Sequence, residues 1–200
     1  MFIDDFWSLI EESRAYAAND REKQLEFIRK ELEETTSDII RRYCVYLMGL
    51  LKKACSEDMW AAFYTMNGGY EEWGFEDFRY WLIAHGREFW EKTLEHPIDF
   101  LHQHVNIAEG ENPDVTFYGF WSVFKTAYEK KSAAELNNSL DWAKAYEEVQ
   151  KVELELEKIM RPMANSYQIR KLYPAMYEKF FQQYYYLLKL YQEQKNNSTS

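Results

Sequence analysis

The scarcity of helix-breaking residues is the feature that most limits how this chain can fold. Only 7 glycines and 4 prolines occur among its 200 residues, well below the ~7% and ~5% that are usual. Glu, Lys, Leu and Ala, which favour helices, are frequent. Apolar residues recur at helical spacing, and the alternation typical of strands is absent outside short turns. The sequence therefore predicts an all-α fold, a single-domain helical bundle with a C-terminal helical extension.

Capping residues and helix breakers indicate where the helices begin and end. Asp20 is expected to cap the second helix, Thr35 and Asp38 to form a capping box for the third, and Ser56 to open the fourth. His96-Pro97 is expected to end a central helix, followed by a short turn and a polar loop over 103–111. Further helices are predicted over 4–18, with Glu11, Glu12 and Arg14 on its outer face, over 75–94, 112–131 and 138–160, and from Pro174 onward.

A change in composition near residues 132–139 suggests how the chain is organised. We expect a helical domain over 2–131, a helical extension over 132–194 that packs on it, and a disordered tail over 195–200.

The net charge restricts the possible partners. A formal charge of −10 argues against nucleic acid, whose binding depends on a clustered basic face, and against anionic membranes. The longest apolar run, 43–51, is too short to cross a bilayer, and the N-terminus does not have the pattern of a secretory signal. We expect a cytoplasmic protein without a nucleic-acid or membrane partner, whereas a basic protein partner remains compatible with the charge.

Common catalytic and cofactor motifs are missing. The sequence contains no glycine-rich nucleotide loop, no H-E-x-x-H zinc motif and no G-x-S-x-G nucleophile motif. Cys44 and Cys55 are expected to be free thiols, and His96, His102 and His104 to be an exposed cluster without a metal. We therefore expect neither metal nor cofactor, and favour a protein that is not an enzyme.

The aromatic stretch over 75–94 offers a candidate ligand site. On one continuous helix, Arg79 and Arg87 would lie about two turns apart on the same side, where both could hold an anion above His85. In the alternative interpretation the stretch is core, Arg79 pairs with Glu76, Arg87 pairs with Glu91, and His85 donates to a carbonyl. Gly86 would lie inside this helix. The candidate ligand-binding residues are Trp60, Tyr64, Arg79, Trp81, His85 and Arg87.

A tyrosine-rich stripe on the last helix offers a candidate interface. Such a broad apolar face either closes the core of the chain or meets a protein partner or a second copy. The candidate interface residues are Tyr177, Phe181, Tyr184, Tyr185 and Tyr186.

Two segments resemble a known family. WAAFYTMNGG (60–69) and GFEDFRYWLIAHGREFW (74–90) are similar to the signature of a widespread bacterial family, domain of unknown function 4240. Its pattern has Trp, Ala and Tyr before Asn-Gly-Gly, then Gly-Phe, Phe-Arg, Trp-Leu-Ile and Gly-Arg. The resemblance covers about residues 2–131, with 70–73 departing from it. It implies a small cytoplasmic helical protein and supplies no activity or catalytic residue.

Three functional hypotheses remain, the third being a purely structural subunit. The first is a non-enzymatic protein-interaction or regulatory module, of which an immunity protein would be one kind. The second is a binder of, or an enzyme acting on, a small anionic ligand in the aromatic and arginine-lined pocket.

Overall fold

The computed structural model describes residues 2–67, 74–106, 114–135 and 170–181. All regular structure in those ranges is helical, which confirms the predicted all-α fold. The helices are α1 (Phe2–Ala17), α2 (Arg21–Glu33), α3 (Ser37–Lys53), α4 (Glu57–Met66), α5 (Phe75–Ala84), α6 (Arg87–Glu95), α7 (Pro97–His104), α8 (Phe120–Glu135) and α9 (Pro174–Met176), which continues as a π-helical turn over Tyr177–Phe181. The predicted helix over 138–160 lies outside the described residues.

The first two helices form an antiparallel hairpin closed by a tight turn. Ala18 and Asn19 adopt left-handed backbone conformations, with φ of 47° and 75°. The Asp20 carboxylate then accepts a hydrogen bond from the Lys23 backbone N–H at 3.1 Å. This bond satisfies one of the free N–H groups at the start of α2, and it confirms the predicted cap. Ser56 caps α4 in the same way, through the Met59 N–H at 3.2 Å.

Three predicted local features are wrong. Thr35 does not build a capping box, because its hydroxyl donates to the Glu31 carbonyl at the end of α2, at 2.9 Å. The turn after His96 is helix α7, with Pro97 at its first position. The helix predicted from residue 112 begins only at Phe120. Before it, residues 114–117 run without regular structure, and the Phe117 N–H donates to the Asp77 carbonyl at 3.0 Å.

Helix α5 is the centre of the described fold. It contacts α1, α3, α4, α6 and α8, and it buries Phe75 and all of residues 78–84. A helix buried on every side must be apolar or hydrogen-bonded on every side. The aromatic residues of α5 meet that condition by packing on the rings of α4 and α8.

The predicted central helix over 75–94 is in fact two helices. Gly86 has φ 93° and ψ 169°, a region of backbone space that essentially only glycine occupies. The Gly86 N–H caps α5 by donating to the Ile83 carbonyl, while the Gly86 carbonyl accepts from Trp90 in α6. The chain therefore changes direction between His85 and Arg87, and residues before and after Gly86 do not share a helix face.

Within residues 2–67, 74–106, 114–135 and 170–181, no helix has both the length and the apolar character that crossing a membrane requires.

Two glycines provide a matched test of this backbone. Gly86→Ala should lower the free energy of unfolding by about 1–3 kcal/mol, because alanine is strained at this φ and ψ and its Cβ would lie 3.4 Å from Glu11 Cγ. Gly49→Ala, within α3, should raise the free energy of unfolding by up to about 1 kcal/mol, because the added Cβ would meet no atom of the described ranges within 4 Å. Urea denaturation measures both, and equal effects would contradict the assigned break.

Candidate functional site

The six predicted ligand-binding residues fall into two separate groups. Trp60 and Tyr64 lie on α4, where the Trp60 ring packs edge-on against Phe75 at 5.1 Å. Arg79 of α5 belongs to this group, because it bonds to Leu51 of α3 and lies over Phe75, the ring that packs on Trp60. Trp81, His85 and Arg87 lie at or near the junction of α5 and α6. The structure therefore does not bring Arg79 and Arg87 together.

Arg79 is a buried structural cation. Its side chain is 2% exposed, Nη1 donates to the Leu51 carbonyl at 3.0 Å, and Nε donates to the Phe75 carbonyl at 3.3 Å. Its guanidinium carbon also lies 4.8 Å from the centre of the Phe75 ring. The Leu51 carbonyl is in the last turn of α3, where carbonyls lack intrahelical partners and the helix dipole is negative.

The carboxylate predicted to pair with Arg79 has another partner. Glu76 accepts from the Tyr80 hydroxyl at 2.9 Å, so the predicted Arg79–Glu76 pair is not formed. The positive charge of Arg79 is instead compensated by the end of α3 and by carbonyl oxygens. Burial lowers the pKa of its guanidinium.

Arg87 has a different environment at the surface. Its side chain is 43% exposed, Nε donates to Glu91 at 2.8 Å, and Nη1 donates to Asp4 at 3.1 Å. The Glu91 pair predicted from the i,i+4 spacing is confirmed. With two carboxylate partners, Arg87 has little positive charge left to attract a ligand.

Two adjoining cavities open beside the break at Gly86. They have volumes of about 510 and 520 Å³. Both are lined by Arg14, His85, Phe89 and His104, and we call their combined space the His85 cleft. The first cavity also reaches Arg21, Gln24, Trp81, Phe117 and Asp114, and the second reaches Arg87, Lys92 and Phe100.

The break creates this cleft because it exposes the carbonyl end of α5. The Ala84 carbonyl accepts from the buried Gln24 amide of α2 at 3.0 Å, and the His85 carbonyl accepts from Arg14 of α1 at 2.9 Å. Side chains of the first hairpin therefore replace the hydrogen bonds that a continuous helix would have supplied. The same bonds hold Arg14 beside His85.

The hydrogen bond of the His85 ring fixes its tautomer. Nδ1 lies 2.8 Å from the Trp81 carbonyl, which can only accept, so Nδ1 carries the hydrogen and Nε2 is left as an acceptor. The predicted donation to a carbonyl is thus confirmed. Burial lowers the pKa of His85 to about 4, so the ring is neutral near pH 7.

Aromatic rings continue from His85 along the cleft. The His85 ring centre is 4.2 Å from that of Trp81 and 4.8 Å from that of Phe89. Phe89 then contacts Phe100 at 5.2 Å, and Phe100 stacks on His104 at 4.0 Å. The cleft thus has a wall of five rings that could pack against a flat, apolar group.

Arg14 has the most available positive charge in the cleft. Arg21 is bound to Asp114 at 2.6 Å, and Lys92 to Glu88 at 2.6 Å. Arg14 bonds the His85 carbonyl and, within the described part of the chain, forms no ion pair, although Glu11 also lines the second cavity. Helical periodicity predicts only that Arg14 lies on an outer helix face. Local spacing does not reveal its contact with the His85 carbonyl, because the two residues are 71 positions apart.

Across residues 2–67, 74–106, 114–135 and 170–181, no three His, Cys, Asp or Glu side chains are grouped to hold a metal. Cys44 and Cys55 are both free, and burial raises the pKa of Cys44 to about 12. His104 lines the cleft, with Nδ1 2.8 Å from the Phe100 carbonyl.

Comparison with known proteins identifies the family. The model of the family described as "Protein of unknown function (DUF4240)" matches residues 1–130. The chain belongs to this family. Comparisons with curated proteins and with solved structures gave no match. The residues that line the His85 cleft all lie within the DUF4240 match, so the cleft is part of the family domain.

The predicted interface on the last helix is described only at its beginning. Met176 and Phe180 are buried in the core, so this part of the helix closes the core, one of the two alternatives for the stripe. Tyr177 is half-buried, with the Arg170 guanidinium 5.7 Å from its ring centre. Phe181 ends the π-helical turn. Tyr184, Tyr185 and Tyr186 lie outside the described residues.

The two predicted site arginines should differ sharply in their effect on stability. Arg79→Ala should lower the free energy of unfolding by about 3 kcal/mol, because it leaves the Leu51 carbonyl without a partner and opens a space in the core. Arg87→Ala should change it by less than about 1 kcal/mol, as is usual for exposed ion pairs. Chemical denaturation of both variants tests this, and a small effect at Arg79 would contradict its capping role.

The low pKa of His85 predicts acid sensitivity. The unfolded chain binds a proton near pH 6.5 and the folded chain only near pH 4, so stability rises with pH across this window and is lost as pH falls. The His85 contribution to that loss is about 3 kcal/mol. NMR titration of the ring measures the pKa of His85. Denaturation of wild type and His85→Gln, below and above this pH window, measures its contribution to stability. A midpoint near 6.5 would contradict the assignment.

Proposed function

We propose that this DUF4240 protein binds a small ligand whose anionic group is held by Arg14 in the His85 cleft. The observation that carries the proposal is the position of Arg14 between two cavities, without a carboxylate partner in the described structure. A guanidinium has five N–H donors, and the bond to the His85 carbonyl uses one of its two terminal nitrogens. The remaining donors suit a carboxylate or phosphate.

The other residues of the cleft define the rest of the ligand. The His85 Nε2 accepts hydrogen bonds, so a ligand that binds there would bring an N–H or O–H group. The wall formed by Trp81, Phe89 and Phe100 favours a flat apolar body. We therefore propose a small planar ligand that carries both an anionic group and a hydrogen-bond donor.

The chemistry of His85 supports binding in preference to catalysis. A general base works best when its pKa is near the working pH, whereas burial holds the pKa of His85 at about 4. Such a ring accepts a hydrogen bond readily at neutral pH but takes up a proton poorly. We accordingly propose a non-enzymatic role.

A role in protein interaction or regulation is the second candidate function. It is supported by apolar side chains exposed on α1 and α3, among them Ile3 and Val45. We propose that the protein acts in the cytoplasm, where free thiols such as Cys44 and Cys55 persist. The partner proposed for this role is another protein, and neither nucleic acid nor a membrane is proposed.

Titration with two defined anions tests the ligand proposal. Phenyl phosphate should bind more tightly than inorganic phosphate, because only the former has a ring for the aromatic wall. Arg14→Gln should weaken the binding of both by ~10-fold, about the worth of one charge-assisted hydrogen bond. Chemical shifts of the Trp81 indole and of His85 report the binding by NMR.

The control for this titration is an arginine outside the cleft. Arg42→Gln removes an equal charge from the surface of α3, and it should leave both dissociation constants unchanged. If Arg14→Gln and Arg42→Gln weakened binding equally, the anions would be responding to overall charge, and the proposal would be wrong. Thermal unfolding verifies that both variants are folded.

A further inference from the structure

Within the part of the chain that the structure describes, nothing requires position 49 to be a glycine. It lies in the interior of α3, a position where glycine is the least favourable residue apart from proline. A Cβ added at Gly49 would meet no described residue within 4 Å, and the Gly49 backbone does not have a positive φ. A missing side chain on an exposed helix face allows the backbone of a second element to approach closely.

The surroundings of Gly49 form a groove with an apolar floor. Ile3, Tyr46 and Leu50 line a cavity of about 460 Å³ together with Val45 and Gly49. Ile3 is 43% exposed and Val45 is 41% exposed, although both are apolar. We call this surface, with Arg41, Arg42 and Lys53 at its rim, the α3 groove.

The spacing along α3 fits an elongated partner. Arg42, Val45, Gly49 and Lys53 follow one another at intervals of three or four residues, so they lie along one face of the helix. A second helix laid along this face would pack its apolar stripe on Val45 and Ile3 and pass closest at Gly49.

The rim of the groove selects for an acidic partner. Arg41 and Arg42 share one carboxylate, Asp38, at 3.2 and 2.9 Å. Lys53 forms no ion pair in the part of the chain that the structure describes. These three cations and one anion leave a positive rim on a protein whose net charge is −10.

A second copy of this chain is a poor occupant of the groove. In a two-fold dimer the same patch lies on both subunits, so the three cations of one rim would face the three cations of the other. We propose instead that the α3 groove docks an amphipathic helix of a partner protein, with acidic side chains flanking its apolar stripe. The groove and the His85 cleft have no lining residue in common, so this proposal is independent of the ligand proposal.

A pair of synthetic peptides tests the proposal directly. One is a capped helical peptide of about 18 residues with Leu and Ala on one face and Glu on both flanks. The other has Lys in place of every Glu. Fluorescence anisotropy should show the Glu peptide binding to the full chain at least ~10-fold more tightly than the Lys peptide, with an affinity that falls as salt is raised.

Two variants assign the binding to the groove. Gly49→Leu should weaken binding of the Glu peptide by at least ~10-fold, because the added side chain occupies the space where the peptide helix comes closest to α3. Leucine favours helices and position 49 has free space, so this variant should fold at least as well as the wild type. The double variant Arg42→Glu, Lys53→Glu should reverse the preference and bind the Lys peptide. The control is Lys92→Glu, which reverses a charge on α6, outside the α3 groove, and should leave the binding of both peptides unchanged.

Four results would overturn the proposal. The first is equal binding of the two peptides, and the second is undiminished binding to folded Gly49→Leu. The third is a dimer in native mass spectrometry that Gly49→Leu abolishes, which would make a second copy the occupant. The fourth is binding to phosphatidylglycerol-containing vesicles that the double variant abolishes while the Glu peptide fails to bind, which would make the groove a lipid surface.

Discussion

The hydrogen bond from Arg79 to the Leu51 carbonyl is the contact on which the position of α5 depends. Moving a guanidinium from water into a protein core is costly unless its charge and its donors are matched. Here the matching groups are two carbonyls, the face of Phe75 and the negative end of α3. Because Arg79 is on α5 and Leu51 is on α3, the same bond fixes the two helices relative to each other.

Once α5 is fixed, the remaining features of the site follow from where it ends. Gly86 ends the helix within the core, and its terminal carbonyls need partners from elsewhere. Gln24 and Arg14 supply those partners from the first hairpin. The cleft is therefore a consequence of helix termination, and the same side chains that cap α5 also line the space beside it.

What could be predicted from the sequence was local. The caps at Asp20 and Ser56, the Arg87–Glu91 pair and the bond of His85 to a carbonyl all connect residues three or four apart. Helical periodicity also sufficed for the all-α class. These features depend only on the geometry of one helix, so neighbouring residues specify them.

What could not be predicted depends on distant residues or on a single backbone angle. Apolar spacing continues across Gly86, so periodicity alone predicts one helix over 75–94, with Arg79 and Arg87 on the same face. The positive φ of Gly86 separates them. Arg14 and Gln24 act on carbonyls 71 and 60 residues away, and no spacing rule connects residues so far apart. The buried state of Arg79 likewise depends on α3, which sequence spacing does not relate to α5.

Helix α1 contributes to both proposed binding surfaces, and its packing bears on whether they communicate. Ile3, near its start, lines the α3 groove, and Arg14, near its end, lines the His85 cleft. Coupling between two sites requires an element with two alternative arrangements that each ligand favours differently. Between these ends, Phe6 and Ile10 are fully buried, and the Trp7 indole donates to the Tyr46 hydroxyl at 3.1 Å. A helix packed this closely cannot slide without opening voids in the core. The two surfaces therefore share a rigid support, and occupation of one gives no physical reason for a change at the other.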